Sequence, residues 1–183
     1  ALATAKNPRQ LTNRLVKSDL ELQRADKAYA TRAGANNVHF LLSRMSDDPL
    51  VYMNESVKEG GELNGIGVWI RTHLAAMRLA LELGSGRVPA EERPAVARRA
   101  LALEAYGFHF LEDSFAAGHV AGTWGDVPTR KGTHDYYNEH GLDTRTWGGA
   151  SIVLYGDARM RPQDRERAAA SVKASLAQLV AAL

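Results

Sequence analysis

Between Gly65 and Leu83, Ile66, Trp69, Ile70, His73, Leu74, Met77 and Leu81 recur at intervals of three and four residues. This spacing lines one face of an α-helix and suits no strand, whose side chains alternate every second position. Gly84-Ser85-Gly86 stops the run. A second long helix is predicted from Ala90-Glu91-Glu92-Arg93 to about Ala117, through Val96, Leu101, Leu103, Tyr106, Phe108 and Leu111, with Pro94 tolerated in its first turn. A third amphipathic helix is predicted over 162–183, opened by Pro162, and a further one over 9–30 from Leu11, Leu15, Leu20, Leu22 and Ala25. A short helix is expected from His134 to His140, closed by Gly141. Residues 43–64 and 118–133 read as loops, and Ile152-Val153-Leu154 is too short to count as a strand. The expected architecture is one all-α domain over 1–183, a helical bundle with long functional loops.

The chain has no cysteine, which excludes disulfides, thiolate zinc sites and a cysteine nucleophile. Any metal must therefore be held by His, Asp, Glu, Asn or the backbone. Lys and Arg number 23 against 21 Asp and Glu, a formal charge of +2, which does not by itself call for nucleic acid. No apolar run reaches the roughly 18–20 residues of a membrane span. The start, Ala1-Leu2-Ala3-Thr4-Ala5-Lys6-Asn7-Pro8, lacks a basic stretch followed by an apolar one and reads as a mature or truncated beginning.

Six histidines carry the chemistry: His39, His73, His109, His119, His134 and His140. His109 and Asp113 stand at i and i+4, neighbours on one helix face, so one ion can take a nitrogen and a carboxylate oxygen from a single turn. They lie among Phe108, Phe110, Leu111 and Phe115, and a polar pair on a core face must be paired or coordinated. His119, six residues past Asp113, is expected too far along the axis to share that ion and is assigned to a second one nearby. His134 and Asn138 repeat the i, i+4 spacing, while Asp26 and His39 flank the Gly34-Ala35-Asn36-Asn37 break.

The pattern His109-x3-Asp113-x5-His119 followed by His134-x3-Asn138 resembles the signature of the zinc-dependent bacterial phospholipases C and the related single-strand-specific zinc nucleases. Ala25-Asp26 and His39-Phe40 resemble the upstream pair of that superfamily, so the likeness extends in patches over about residues 24–140. The resemblance implies an all-α fold around one to three zinc ions. It implies that Asp26, His39, His109 and Asp113 hold one ion, that Asp113 bridges to a second, and that His119, His134 and Asn138 hold another. It also implies a hydrolase of phosphate esters whose nucleophile is metal-activated water, with Asp26 and Asp113 as catalytic carboxylates. A phospholipid head group is the implied substrate, nucleic acid the less favoured one, and the implied location is secreted or periplasmic.

The departures are specific. Asn138 stands where the family has Glu, and an amide oxygen is a weaker ligand. The family's N-terminal Trp and first-helix His have no counterpart, since Ala1 begins the chain and no His precedes His39. Ala116-Ala117-Gly118 replaces the family's Pro before the third ligand. A non-catalytic helical module with a partial metal site is the competing reading. His73, among Trp69, Ile70 and Met77, reads as a satisfied core histidine, and His140 as a helix-end residue. Trp124, Tyr136, Tyr137 and Trp147 read first as packing under the loops and second as a wall for a quaternary ammonium group. Arg130-Lys131 reads equally as a phosphate contact or a solvated turn, and Arg159, Arg161, Arg165 and Arg167 as a solvated face.

Overall fold

The computed structural model describes Asn7, Gln10, Asn13, Lys17, Leu20, Glu21, Arg24 and Ala25, then residues 37–121 and 127–183. The chain divides into two compact units, Ala1–Asn36 and Asn37–Leu183. In the first unit the described positions from Gln10 to Ala25 are helical. The Asn7 side chain accepts from the Gln10 amide at 2.9 Å, a local bond that offers an orphan N–H its partner at a helix start. Lys17 and Glu21 form an exposed i, i+4 pair at 3.9 Å.

The second unit opens with a 3-10 turn, Asn37–His39, then an extended stretch. Helix α1 spans Pro49–Ser56 within the segment expected to be irregular. The Asp48-Pro49 pair there is not a free turn. Asp48 caps the helix by accepting from the Leu50 amide at 2.8 Å, and Pro49 sits in the first turn, where its missing N–H costs nothing. Helix α2 spans Gly65–Gly84, capped by buried Asn64, which accepts from the Gly67 amide at 2.8 Å and donates to Ser56 O at 2.9 Å. Helix α3 spans Arg93–Asp113, α4 Ala117–Ala121 and α5 Val127–His140. The expected loop over 118–133 is thus largely helical in its described part.

After Gly141 (φ +91°) the chain forms a small antiparallel hairpin, β1 Leu142–Arg145 with β2 Ser151–Leu154, in the register Leu142 to Leu154 and Arg145 to Ser151. Ile152-Val153-Leu154 is therefore a strand after all; the partner that the run needed is Leu142-Asp143-Thr144, too polar to be read as one. A 3-10 turn at Asp157–Arg159 leads to α6, Pro162–Ala181. The class is all-α with this one two-stranded addition. No described helix is long and apolar enough to cross a membrane.

Helices α2 and α3 pack together and α6 lies against both. Ala76, Ala80 and Leu179 are buried between them, with Met77, Leu103 and Ala182 around the rim. Such small side chains let the helices approach closely but release little water-exposed apolar area each. The same layer holds a buried polar network. Glu104, 1% exposed, accepts from His73 Nδ1 at 2.8 Å through one oxygen and from the Ser175 hydroxyl at 2.6 Å through the other. His73 Nε2 meets Gln178 Oε1 at 3.2 Å, and Trp69 Nε1 donates to Ser175 Oγ at 3.3 Å. His73 is thus the satisfied core histidine that its apolar company predicts. A Ser, a His and a Glu meet here, yet not as a nucleophilic triad: Ser175 and Glu104 both face Nδ1 rather than opposite ring nitrogens.

The network joins all three helices, so its loss should be expensive. Glu104→Ala leaves a buried imidazole and a buried hydroxyl without their acceptor, and we expect a loss of about 3–5 kcal/mol in urea unfolding. A loss under about 1 kcal/mol would mean that the network does not hold the bundle.

Candidate metal centre

Helix α3 ends at Asp113 because the chain turns there: the Phe115 amide bonds Glu112 O at 2.9 Å and the Ala116 amide bonds Asp113 O at 3.0 Å. Helix α4 starts at once and carries His119 back toward Asp113. His119 Nδ1 lies 3.9 Å from Asp113 Oδ1. This corrects the expectation that His119 is too distant to share an ion with Asp113; that reading extended α3 to Ala117, and the helix stops four residues earlier.

His39 arrives from the 3-10 turn. The segment after it is pinned on both sides, with the Leu41 amide on His119 O at 3.1 Å and the Gly65 amide on Phe40 O at 3.0 Å. His39 Nδ1 and Asp113 Oδ2 are 2.5 Å apart, a charge-assisted bond in which the ring N–H donates to the carboxylate. Phe110 stacks on the His39 ring, and Phe40 lies beside both His119 and His134. One carboxylate therefore presents one oxygen to His39 and the other to His119.

His109 departs from its expected place. Its Nε2 is 3.9 Å from Asp113 Oδ2 and its ring meets His39 edge-on at 4.7 Å, but the side chain is 63% exposed. The expectation that His109 and Asp113 share a core face holds for Asp113 alone. His109 stands at the rim, where its ring meets that of the buried Phe110 edge-on at 5.5 Å. Asp26 lies outside the described residues.

Helix α5 supplies His134, whose ring is 4.7 Å from that of His119. Its Nδ1 bonds Asp135 Oδ1 at 2.9 Å, so Nδ1 carries the proton and Nε2 turns an electron pair inward. A carboxylate on the far nitrogen is a common support for a ligating imidazole. Nε2 faces Asp157 Oδ2 at 3.5 Å. Asp157 comes from the 3-10 turn behind the hairpin and holds a left-handed backbone, φ 47°. It was not among the predicted ligands. The chain reaches it by the hairpin return, so no sequence spacing announces it; its one visible trace is the Gly156-Asp157 pair.

Asn138 is corrected from ligand to support. Its Oδ1 accepts from the Gly118 amide at 2.6 Å, and its Nδ2 contacts Asp157 Oδ2 at 2.8 Å and His134 Nε2 at 3.1 Å. A Cβ on Gly118 would collide with His134 O and the Asn138 amide, and one on Gly156 would enter that same amide. Both glycines are there because backbone must pass this close.

Two sets of three ligand atoms result, each set within 4.8 Å: His39, Asp113 and His119, and His119, His134 and Asp157. His119 belongs to both. Its Nδ1 is buried and, among the described residues, the buried side-chain polar atom that lacks a hydrogen-bond partner. Burial, the largest effect, lowers the His119 pKa below its ordinary 6.5, against the pull of Asp113 and Asp157. A neutral imidazole with an unpartnered nitrogen aimed at carboxylates is the form that a cation takes. The residues present therefore fit a metal ion.

The other sequence candidates fall outside the centre. The Trp147 ring is covered by Arg44 at 4.2 Å and lies 5.5 Å from Tyr52, and Tyr136 stacks on His140 at 4.5 Å, so these aromatics pack against neighbours. Trp124 and the side chains of Arg130 and Lys131 lie outside the described residues. Arg159 pairs with Glu139, and Arg161 and Arg167 both hold the fully buried Asp164 carboxylate, which ties those charges into the fold. No protein-family model, curated protein or solved structure matches the chain.

Because His119 is held neutral, the unfolded chain takes up its proton first as pH falls below about 6.5, and stability falls with it. With chelator present, melting temperature should drop from about pH 7.5 to about pH 5.5, and His119→Gln should flatten that slope. An unchanged slope would remove His119 as its source.

Proposed function

We propose that this chain is a zinc-dependent hydrolase of phosphate esters, of the phospholipase C type. The observation that carries the reading is the meeting of His39, Asp113, His119, His134 and Asp157, drawn from five separate segments, around a buried imidazole nitrogen with no partner. Helix-surface hydrogen bonding does not account for that arrangement, since it leaves His119 Nδ1 unsatisfied at a cost of roughly 1–3 kcal/mol. The spacing of these residues, with the resemblance noted above, favours zinc over a harder cation, because imidazole nitrogens outnumber carboxylates.

His39, Asp113 and His119 would hold one ion, and His134 and Asp157 with His119 the alternative one. A bound zinc supplies Lewis acidity, activating water and offsetting charge on phosphoryl oxygens. The chain's own part is positioning. Asp113 keeps its two oxygens apart by bonding His39 with one and facing His119 with the other. The N–H that His39 donates to it favours the ionised carboxylate, the form that a cation takes. Asp135 fixes the His134 tautomer, so that Nε2 offers its electron pair. Phe110 stacks on His39 and Phe40 lies against His119, so one side of each ring faces apolar surface, which strengthens the charge interactions there. His109, at the exposed rim, is placed to meet an incoming phosphate group.

Purified protein should contain tightly held zinc by elemental analysis and should hydrolyse a phosphocholine ester faster than single-stranded DNA. Chelation should abolish turnover, and Asp113→Asn should lower it at least about 100-fold, the upper end of what losing a ligand's support costs. Faster cleavage of DNA would turn the reading to a nuclease on the same scaffold. Protein without zinc or turnover would leave a helical module with a relict of a metal site.

A further inference from the structure

Resting on that reading, we propose that Asn138 is a built-in stand-in for the cation at the His134–Asp157 end of the centre, so that this end loads weakly and reversibly. The amide's orientation is not free. The buried Gly118 N–H needs an acceptor, and Asn138 Oδ1 is that acceptor at 2.6 Å. The NH2 group is thereby aimed at His134 Nε2 and Asp157 Oδ2, at 3.1 and 2.8 Å. These are the two ligand atoms that this set contributes besides His119. Asn138, 5% exposed, thus has its oxygen and its nitrogen engaged.

Two consequences follow. The amide holds the His134 nitrogen and the Asp157 oxygen 3.5 Å apart, close to the roughly 3.3 Å between neighbouring ligands of a tetrahedral zinc. The set is therefore organised before any metal arrives. An ion taking the one electron pair of His134 Nε2 must displace the N–H bond already on it, which stabilises the metal-free fold, whereas the Asp157 carboxylate has further lone pairs to offer. A carboxylate at the same position would do the opposite: still able to accept from Gly118, it would bring an added negative ligand and no competing donor. The Asp157 turn is tied to the same residue a second time through the backbone, since the Gly156 amide donates to the Asn138 main-chain carbonyl at 3.2 Å. Asn138 is a positioning residue whose effect is on affinity, not on the reacting atoms.

The test compares the wild-type chain, Asn138→Asp and Asp157→Ala after chelation, each titrated with Co2+ and followed by cobalt absorption and by melting temperature. Asn138→Asp should melt lower than wild type without metal, because two carboxylates then face each other, and should bind Co2+ at least ten-fold more tightly. Asp157→Ala should lose the binding event at the His134 end. Equal or weaker binding by Asn138→Asp, with that event still lost in Asp157→Ala, overturns the stand-in role and leaves the metal centre intact. No Co2+ binding by wild type overturns both. A measurement on the wild-type chain guards against misfolding of the variant. The Asn138 side-chain amide protons should be protected from solvent exchange without metal and should shift and lose that protection on adding Zn2+. Protons that exchange freely without metal, or that ignore saturating Zn2+, overturn the proposal.

Discussion

One carboxylate carries the centre. Asp113 bonds His39 through one oxygen and faces His119 with the other, and it can do so only because α3 stops directly beneath it. If α3 ran on for another turn, His119 would be carried about 5–6 Å further along the axis and the two halves of the centre would not share a histidine. The turn at Ser114–Ala116 is thus as much a part of the site as the ligands. Its result is a buried nitrogen on His119 that the protein leaves without a hydrogen bond, an expense that folding alone does not explain.

Two polar clusters divide the work of the second unit. The His73–Glu104–Ser175 network is closed, with donors and acceptors matched inside the helical layer. The His39–Asp113–His119–His134–Asp157 cluster is open, with acceptors and electron pairs in excess of donors. Both contain a histidine beside a carboxylate, so the pairing alone does not tell them apart. What separates them is whether every nitrogen has a partner. The closed cluster holds α2, α3 and α6 together around a thin alanine-rich core, and the open one forms where the end of α3 meets α4, α5 and two 3-10 turns.

Much of the fold was legible in the chain. The three- and four-residue recurrence of Ile66, Trp69, Ile70, His73, Leu74, Met77 and Leu81 marks a helix, although the face it buries is drawn from His73, Ala76, Ala80 and Leu83, while Leu74 and Leu81 stay exposed. The boundaries were less legible where polar residues act as caps. Asp48-Pro49 reads as a turn from composition and is a helix start in fact, since the same side-chain oxygen serves either purpose. The hairpin was missed because its first strand, Leu142-Asp143-Thr144-Arg145, has no apolar run of its own and is defined by the partner it pairs with.

The sequence by itself narrowed the groups that could hold a cation: without cysteine, imidazoles, carboxylates, amides and the backbone remain, and i, i+4 spacing on a helix brings two of them onto one side wherever the helix lies. It could not rank them. His109 and Asp113 share a face, yet one is exposed and the other is nearly buried, because exposure depends on what packs across the face. Only the tertiary structure exchanged Asn138 for Asp157. That exchange depends on a hairpin return and on two glycines through which backbone passes against an amide, and such close approach is a property of the folded chain in three dimensions, invisible to any count of residues along it.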